Sequence, residues 1–274
     1  MVKCVLISYA GYPYTLSSLL PDNGLANLAG ALIRAGHKAR ILDYGTVSTI
    51  KRLIPQNHTE ELNRLFKQYG NRIYKEGLVE SNRLNENLQE YQEGQAREIG
   101  KEIARFIQTE KADFAGIKLW NGDGFTGSIM IAEEIKKLLP GFPVVAGGPH
   151  VDMYNKYIWE RTDAFDLLAQ GEGEETIVRL ADHYDGRTSL AGIPNLIYRK
   201  GDEVITAEKK WIEDLNTLPF PVYDKDVYLA MKGDEKIKIV VLDESRGCPN
   251  TCFFCMQPMK SGNRIRIKKA ERII

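Results

Sequence analysis

Short apolar runs separated by stretches of helical spacing recur along the first two thirds of the chain. Residues 4–10, CVLISYA, are apolar without alternation, as expected of a strand covered on both faces of a parallel sheet. Downstream, Leu25, Leu28, Ala29, Leu32 and Ile33 return at three- and four-residue intervals and Gly36 supplies a stop, so a helix is predicted there. KARILDY (38–44) reads as a second strand, ADFAGIKLW (112–120) as a third, PVVAGG (143–148) as a fourth and FDLLAQG (165–171) as a fifth. GSIMIAEEIKKLLPG (127–141) and EETIVRLADHY (174–184) are the helices between and after them. This alternation predicts an α/β fold, a doubly wound parallel sheet of Rossmann-like or flavodoxin-like type, which takes ligands at the carboxyl ends of its strands.

Residues 55–110 interrupt the pattern. They are polar, with Leu62, Leu65, Phe66, Tyr69 and Ile73, and later Ile99, Ile103, Phe106 and Ile107, at helical spacing. The segment reads as a helical insertion whose last part crosses to the third strand; it is either a solvated elaboration or a lid facing a substrate. After Asp185 the texture changes. IPNLIYRKGDEVI (193–205) resembles a hairpin turning near Gly201 and Asp202, and LNTLPFPVYD (215–224) is a proline-punctuated linker. A further unit is predicted from Lys236, with KIKIVVLDE (236–244) as a strand and IRIKKAERII (265–274) as the opening of a helix. The expected organisation is a sheet domain over 1–185, a hairpin and linker over 186–235, and the start of a third unit over 236–274.

Composition narrows the function. The 274 residues carry 37 basic and 37 acidic side chains, so no overall field recommends a nucleic acid or an anionic membrane as partner. No stretch approaches the roughly 18 apolar residues of a membrane span, and MVKCVLISYAGY does not have the form of a signal peptide; a cytoplasmic location is expected. One isolated and three clustered cysteines do not make a secreted disulfide framework.

Four predicted strand ends carry loops suited to a ligand: SYAGYPY with Ser8, Tyr9 and Gly11; LWNGDGFTGS with Asn121 and Thr126; AGGPH with Gly147, Gly148 and His150; and QGEGEET with Gly171, Glu172, Gly173 and Glu174. Glycine lets a backbone pass close to a ligand, and hydroxyl and amide groups can donate to its polar substituents. Singly, each has a plainer reading: Gly147 and Gly148 make a tight turn, and Glu172 or Glu174 favours the positive end of the next helix. Neither a phosphate loop nor a G-x-G-x-x-G opening of the first helix is present.

Cys248, Cys252 and Cys255 form C-x3-C-x2-C. Three thiolates on one loop can hold three corners of a four-iron cube and leave the fourth iron open. Cys4 lies in a predicted buried strand, where a free cysteine behaves as a small hydrophobe. Structural zinc would need a fourth ligand nearby, and no histidine follows His183.

This cysteine spacing, with Phe254 just before the last thiol, resembles the radical S-adenosylmethionine superfamily. NGLANLAGALIRAGHKARILD, AGGPH, FDLLAQGEGEET, IPNLIYRKGDEV, DLNTLPFPVYD and ESRGCPNTCFFC together resemble its cobalamin-binding subgroup, which includes methyltransferases and the anaerobic oxidative cyclase of bacteriochlorophyll synthesis. The resemblance implies that Cys248, Cys252 and Cys255 bind a [4Fe-4S] cluster, that S-adenosylmethionine chelates the open iron with Phe254 near its adenine, and that reductive cleavage yields methionine and a 5′-deoxyadenosyl radical. It also implies cobalamin over the strand ends of the sheet, methyl transfer to an unactivated carbon of a small or natural-product-like substrate, and a reductant such as flavodoxin or ferredoxin. No histidine here stands in D-x-H-x-x-G, so a base-off cobalamin without that ligand is implied, and His150 is expected to cap a turn or touch the cofactor's edge. The superfamily's barrel is longer than the residues left after Lys236, so the chain is expected to be an N-terminal fragment, inactive alone. The competing reading is a non-catalytic cobalamin- or cluster-binding module; an oxidative cyclase-type reaction is the alternative chemistry.

Overall fold

The computed structural model describes residues 1–73 and 75–273. Strands β1 (Lys3–Ser8), β2 (Lys38–Asp43), β3 (Phe114–Lys118), β4 (Val144–Gly147) and β5 (Leu167–Ala169) lie parallel in the order β2-β1-β3-β4-β5. Ile7 of β1 pairs with Leu42 on one side and Ile117 on the other. The chain winds from β1 outward to β2 and then back past β1 to β3, so the topological switch, where such sheets open a crevice, falls between β1 and β3.

Helices cover both faces. On one side α1 (Asn23–Arg34) and α7 (Glu174–Tyr184) bury Leu25, Leu32, Ile177 and Leu180 against Leu6, Phe114 and Val145. α1 starts where Asp22 accepts from the Leu25 amide at 3.1 Å, an N-cap that satisfies an otherwise orphaned donor. On the opposite side α4 (Leu78–Glu110) and α5 (Asp123–Leu138) pack Ile99, Ile103, Ile131 and Ile135 over Val5, Ile117 and Val144.

The predicted insertion is present. Beyond α2 (Val47–Arg52), α3 (His58–Tyr69) folds back on the first half of α4 around a small core of Leu65, Ile73 and Leu84. α4 is continuous over 33 residues, roughly 50 Å at 1.5 Å per residue. Its second half is the crossover helix, and its first half is an arm standing off the sheet. Gly100 marks the crossing with α5, where an added Cβ would come within 2.8 Å of the Glu134 Cβ. No helix among the described residues is long and apolar enough to cross a membrane.

The predicted hairpin is present, with β6 (Leu196–Lys200) and β7 (Glu203–Thr206) turning at Gly201 and Asp202, and it extends the sheet, antiparallel, beside β5. Asn195, at φ +63°, sets up this reversal, its amide donating to the Glu172 and Lys210 carbonyls at 3.0 Å each while its oxygen accepts from the Lys210 amide. One expectation changes: residues 236–244 do not form a ladder strand, and the described residues 265–273 do not open a helix. Only β8 (Ser245–Arg246) and β9 (Arg266–Ile267) pair, antiparallel, and Ala270–Arg272 makes a single 3-10 turn. A strand exists by pairing, and among the described residues none runs beside 237–243; Arg266, drawn into an ionic cluster, brings the later segment back across Ser245 and Arg246 instead.

The proline-punctuated linker is bound tightly to the sheet domain. The Val222 amide donates to the Ala26 carbonyl at 3.0 Å, and Ile41 donates to Val227 at 2.7 Å. Tyr228 is fully buried; its hydroxyl accepts from the Asp22 amide at 2.5 Å and donates to Asp43, which also pairs with the buried Lys236 at 2.8 Å.

Candidate cofactor-binding site

The inward side chains on the α1 and α7 face shrink toward the carboxyl ends of the central strands. β3 runs from Phe114 to Gly116, β4 from Val145 to Gly147, and β5 from Leu167 to Ala169. The helices sit over the large residues and so cannot close on the small ones. What remains is an apolar slot of about 150 Å³ bounded by Leu6, Leu28, Gly116, Gly147, Gly173 and Ile177. A Cβ on Gly116 would project to 3.2 Å from the Leu6 Cδ2. Gly148, at φ +96° and with its missing Cβ 2.9 Å from the Lys118 Cγ, turns the chain away at the mouth into the short helix α6 (Pro149–Tyr154).

Beyond the mouth, a polar cleft of about 630 Å³ lies between the strand ends and the C-terminal segment. Lys118 leaves β3 into this cleft, contacting both Asp22 oxygens at 3.0 and 2.8 Å and lying 4.0 Å over the Trp120 ring. Ser8 donates to Asp22 at 3.3 Å and accepts from the Trp120 indole at 3.1 Å. On the far wall Asp243 accepts from Asn23, from Asn27 and from Arg246. Burial works against the Arg246 charge, but the carboxylates of Glu174, Asp243 and Glu172 outweigh it and hold the guanidinium protonated even more firmly than usual.

The predicted site residues divide into groups. Gly147, Gly148, Gly171 and Gly173 line the slot, and Ser8, Glu172 and Glu174 line the cleft. Glu172 is buried and receives both Nη atoms of Arg266 at 2.8 Å, together with the Ile212 amide; Glu174 receives Arg246 at 2.6 Å. Their oxygens therefore hold the C-terminal segment against the sheet, while Glu174 also stands in the first turn of α7, as the helix-end reading has it. Tyr9, Gly11 and Thr126 lie in another recess, beyond the β1 turn. Asn121 bonds the His150 ring at 2.8 Å, and that ring stacks on Phe125 at 3.8 Å and leans on Tyr154 at 4.5 Å. Burial lowers the His150 pKa, keeping the imidazole neutral at neutral pH.

Cys4 is buried and free, as the apolar reading expects, and burial pushes its thiol pKa far up. Cys252 and Cys255 are exposed and Cys248 half-buried on the loop after β8, all three free. Phe254 is exposed and meets Phe253 edge to face at 5.7 Å. Among the described residues no three metal-ligating side chains converge. The short helix α8 (Gln257–Ser261), which follows the thiols, places Gln257, Lys260 and Ser261 in the wall of the cleft, so the cysteine loop borders the same space.

Sequence reasoning missed Gly116, Asp22, Lys118 and Trp120. A lone glycine inside an otherwise apolar strand was the available signal, since it marks a bulge or a close approach; the Asp22 cap was legible in PDNG.

Residues 86–181 match the B12 binding domain family. The chain is 30% identical over 177 residues to the uncharacterized methyltransferase PH0819 of Pyrococcus horikoshii, covering 63% of this chain and 38% of that protein. It is also 30% identical over 164 residues to the cobalamin-dependent radical SAM methyltransferase TokK of Streptomyces tokunonensis, covering 57% of this chain and 23% of the other. It therefore spans well under half the length of these relatives. The solved structure of the cobalamin-dependent S-adenosylmethionine radical enzyme OxsB, with aqua-cobalamin and S-adenosylmethionine bound, shares the fold: TM-score 0.63 at 15% identity over 100% of this chain and 30% of that one. Over residues 86–181 the chain is thus similar to the B12 binding domain family, and over a longer stretch it is similar to cobalamin-dependent radical SAM methyltransferases.

Proposed function

We propose that this chain binds cobalamin and serves as the cobalamin-binding part of a radical SAM enzyme, with methyl transfer to an unactivated carbon as the reaction. The glycine-carved slot opening into the polar cleft carries this reading. Cobalamin joins a broad corrin edged with amides to a tail ending in a flat, apolar benzimidazole. An apolar cavity of about 150 Å³ is of the size that holds a benzene-sized ring in other proteins. The benzimidazole would occupy the slot, and the corrin would lie over the strand ends. No histidine lines either space among the described residues, which supports a base-off cofactor without a protein imidazole beneath cobalt.

Cys248, Cys252 and Cys255 have the donor chemistry for a [4Fe-4S] cluster, and Phe254, exposed on the same loop, would lie near the adenine of S-adenosylmethionine. Such a cluster, when bound, supplies the electron that cleaves S-adenosylmethionine. This chain's own residues anchor the loop: the Cys248 amide donates to the Gly262 carbonyl at 3.2 Å, and Gln257 donates to the Cys255 sulfur at 3.5 Å. Residues 1–185 are read as the cobalamin-binding unit and 236–274 as the beginning of the cluster-binding unit, joined by 186–235.

Titration with hydroxocobalamin tests the first half: a saturable change in the visible spectrum at one equivalent is expected, and an unchanged spectrum rejects it. Anaerobic reconstitution tests the second. Uptake of about four iron and four sulfide per chain is expected, with a marked loss in Cys252→Ser. A chain that takes up cobalamin but never iron is a binding module instead.

A further inference from the structure

Two asparagines in this chain are followed by glycine, Asn23 by Gly24 and Asn121 by Gly122. Glycine puts no Cβ beside its own nitrogen, so these are the least hindered places for a main-chain nitrogen to attack the preceding side-chain amide. The fold treats the two pairs differently. Asn23 opens α1; its amide nitrogen donates to Asp243 and its oxygen accepts from the Tyr223 hydroxyl at 2.9 Å, so both ends of the group are held. Asn121 and Gly122 are exposed in the turn between β3 and α5. Gly122 stands at φ +61° with open space where a side chain would be. Its carbonyl accepts from Phe125 and Thr126, but among the described residues its N–H, like the Asn121 amide nitrogen, donates to no protein group.

The Asn121 oxygen lies 2.8 Å from the His150 Nδ1. A carboxamide oxygen can only accept, so Nδ1 carries the ring proton. Burial keeps that ring neutral, and stacking on Phe125 at 3.8 Å and against Tyr154 at 4.5 Å fixes its plane. The donor therefore stands at the atom on which negative charge gathers when the amide carbon is attacked, as a fixed N–H does in stabilising an oxyanion.

We propose that Asn121 is a self-modifying position. The Gly122 nitrogen gives its proton to hydroxide and bonds to the Asn121 Cγ, while the His150 Nδ1–H holds the oxyanion. The bond from Cγ to the side-chain nitrogen then breaks, and the nitrogen takes a proton from water and leaves as ammonia. Water opens the resulting succinimide at either carbonyl, to aspartate or to isoaspartate. Either product sets a carboxylate beside His150 at the start of α5, and isoaspartate also adds a methylene to the main chain between β3 and α5. The chemistry needs no cofactor.

The test incubates the 274-residue chain at mildly alkaline pH, folded and in urea, and follows both sites by peptide mass mapping with isoaspartate detection. In the folded chain Asn121 is expected to convert while Asn23 does not. Folded Asn121 should also convert about three- to tenfold faster than the same site in urea, the worth of one hydrogen bond, whereas in urea the two sites should convert at similar rates. His150→Phe keeps a stacked ring without the donor; it should lose the acceleration when folded and change nothing in urea. The wild-type comparison stands whether or not that variant folds. A folded Asn121 that converts no faster than in urea, or as fast in folded His150→Phe as in the wild type, overturns the proposal.

Discussion

Gly116→Leu is expected to weaken cobalamin binding about a hundredfold or more, roughly 3 kcal/mol, while the protein folds at least as well. The backbone at Gly116 is not in the left-handed region, so a side chain meets no conformational penalty there. Glycine inside a strand costs about 0.5–1 kcal/mol relative to alanine, and a leucine side chain directed into the slot would fill apolar space that otherwise stands open. The contact of 3.2 Å to Leu6 offsets part of that gain by requiring a small shift. Spectral titration should therefore show loss of cobalamin binding beside an equal or higher thermal midpoint. Cobinamide, without the tail, should bind the variant as it binds the wild type. Undiminished affinity for cobalamin in this variant would remove the benzimidazole from the slot.

Glu172→Ala should produce the largest structural effect. It leaves the Arg266 guanidinium, 6% exposed, without the carboxylate it meets through two 2.8 Å contacts. Breaking a buried pair from one side costs about 3–5 kcal/mol, because the remaining charge stays desolvated. The cost falls on the C-terminal segment first, since the sheet does not depend on Arg266 for its own pairing. Residues 244–273 should become rapidly cleaved in limited proteolysis while the sheet survives, and the thermal transition should broaden or split. Pairing Glu172→Gln with Arg266→Met is expected to restore much of the protease resistance, as removing both charges avoids the orphaned one. If Glu172→Ala is cleaved no faster than wild type, the ion pair does not hold the segment.

The parallel core was legible because its signal is local. Uninterrupted apolar runs and three-four spacing are enough to place β1 to β5, α1, α5 and α7 within a few residues, whereas α2 and α6, each six residues long, are too short to show a period and were not read. The insertion was legible for the same reason, down to Ile99, Ile103 and Ile107 on the crossover half of α4. What escaped depended on partners distant in sequence. KIKIVVLDE has the composition of a strand, but composition does not supply a neighbour. Glu172 was visible as an acid at a helix start; that it would meet Arg266, 94 residues on, was not. Gly116 was hidden inside a run read for its apolarity, although its lack of a side chain is what shapes the slot.

The continuity of α4 has a mechanical consequence. One half is fixed in the core while the other projects as an arm, and Gly94, near the junction, has open space where a side chain would be. A glycine there weakens the helix by about 1 kcal/mol relative to alanine, so bending should concentrate at that point. Amide hydrogen exchange should rise stepwise from Ile107 toward Leu78, with the step at Gly94. Any contact that steadied the arm would shift the step outward, so that one helix joins a fixed core to a tip whose stability is set separately.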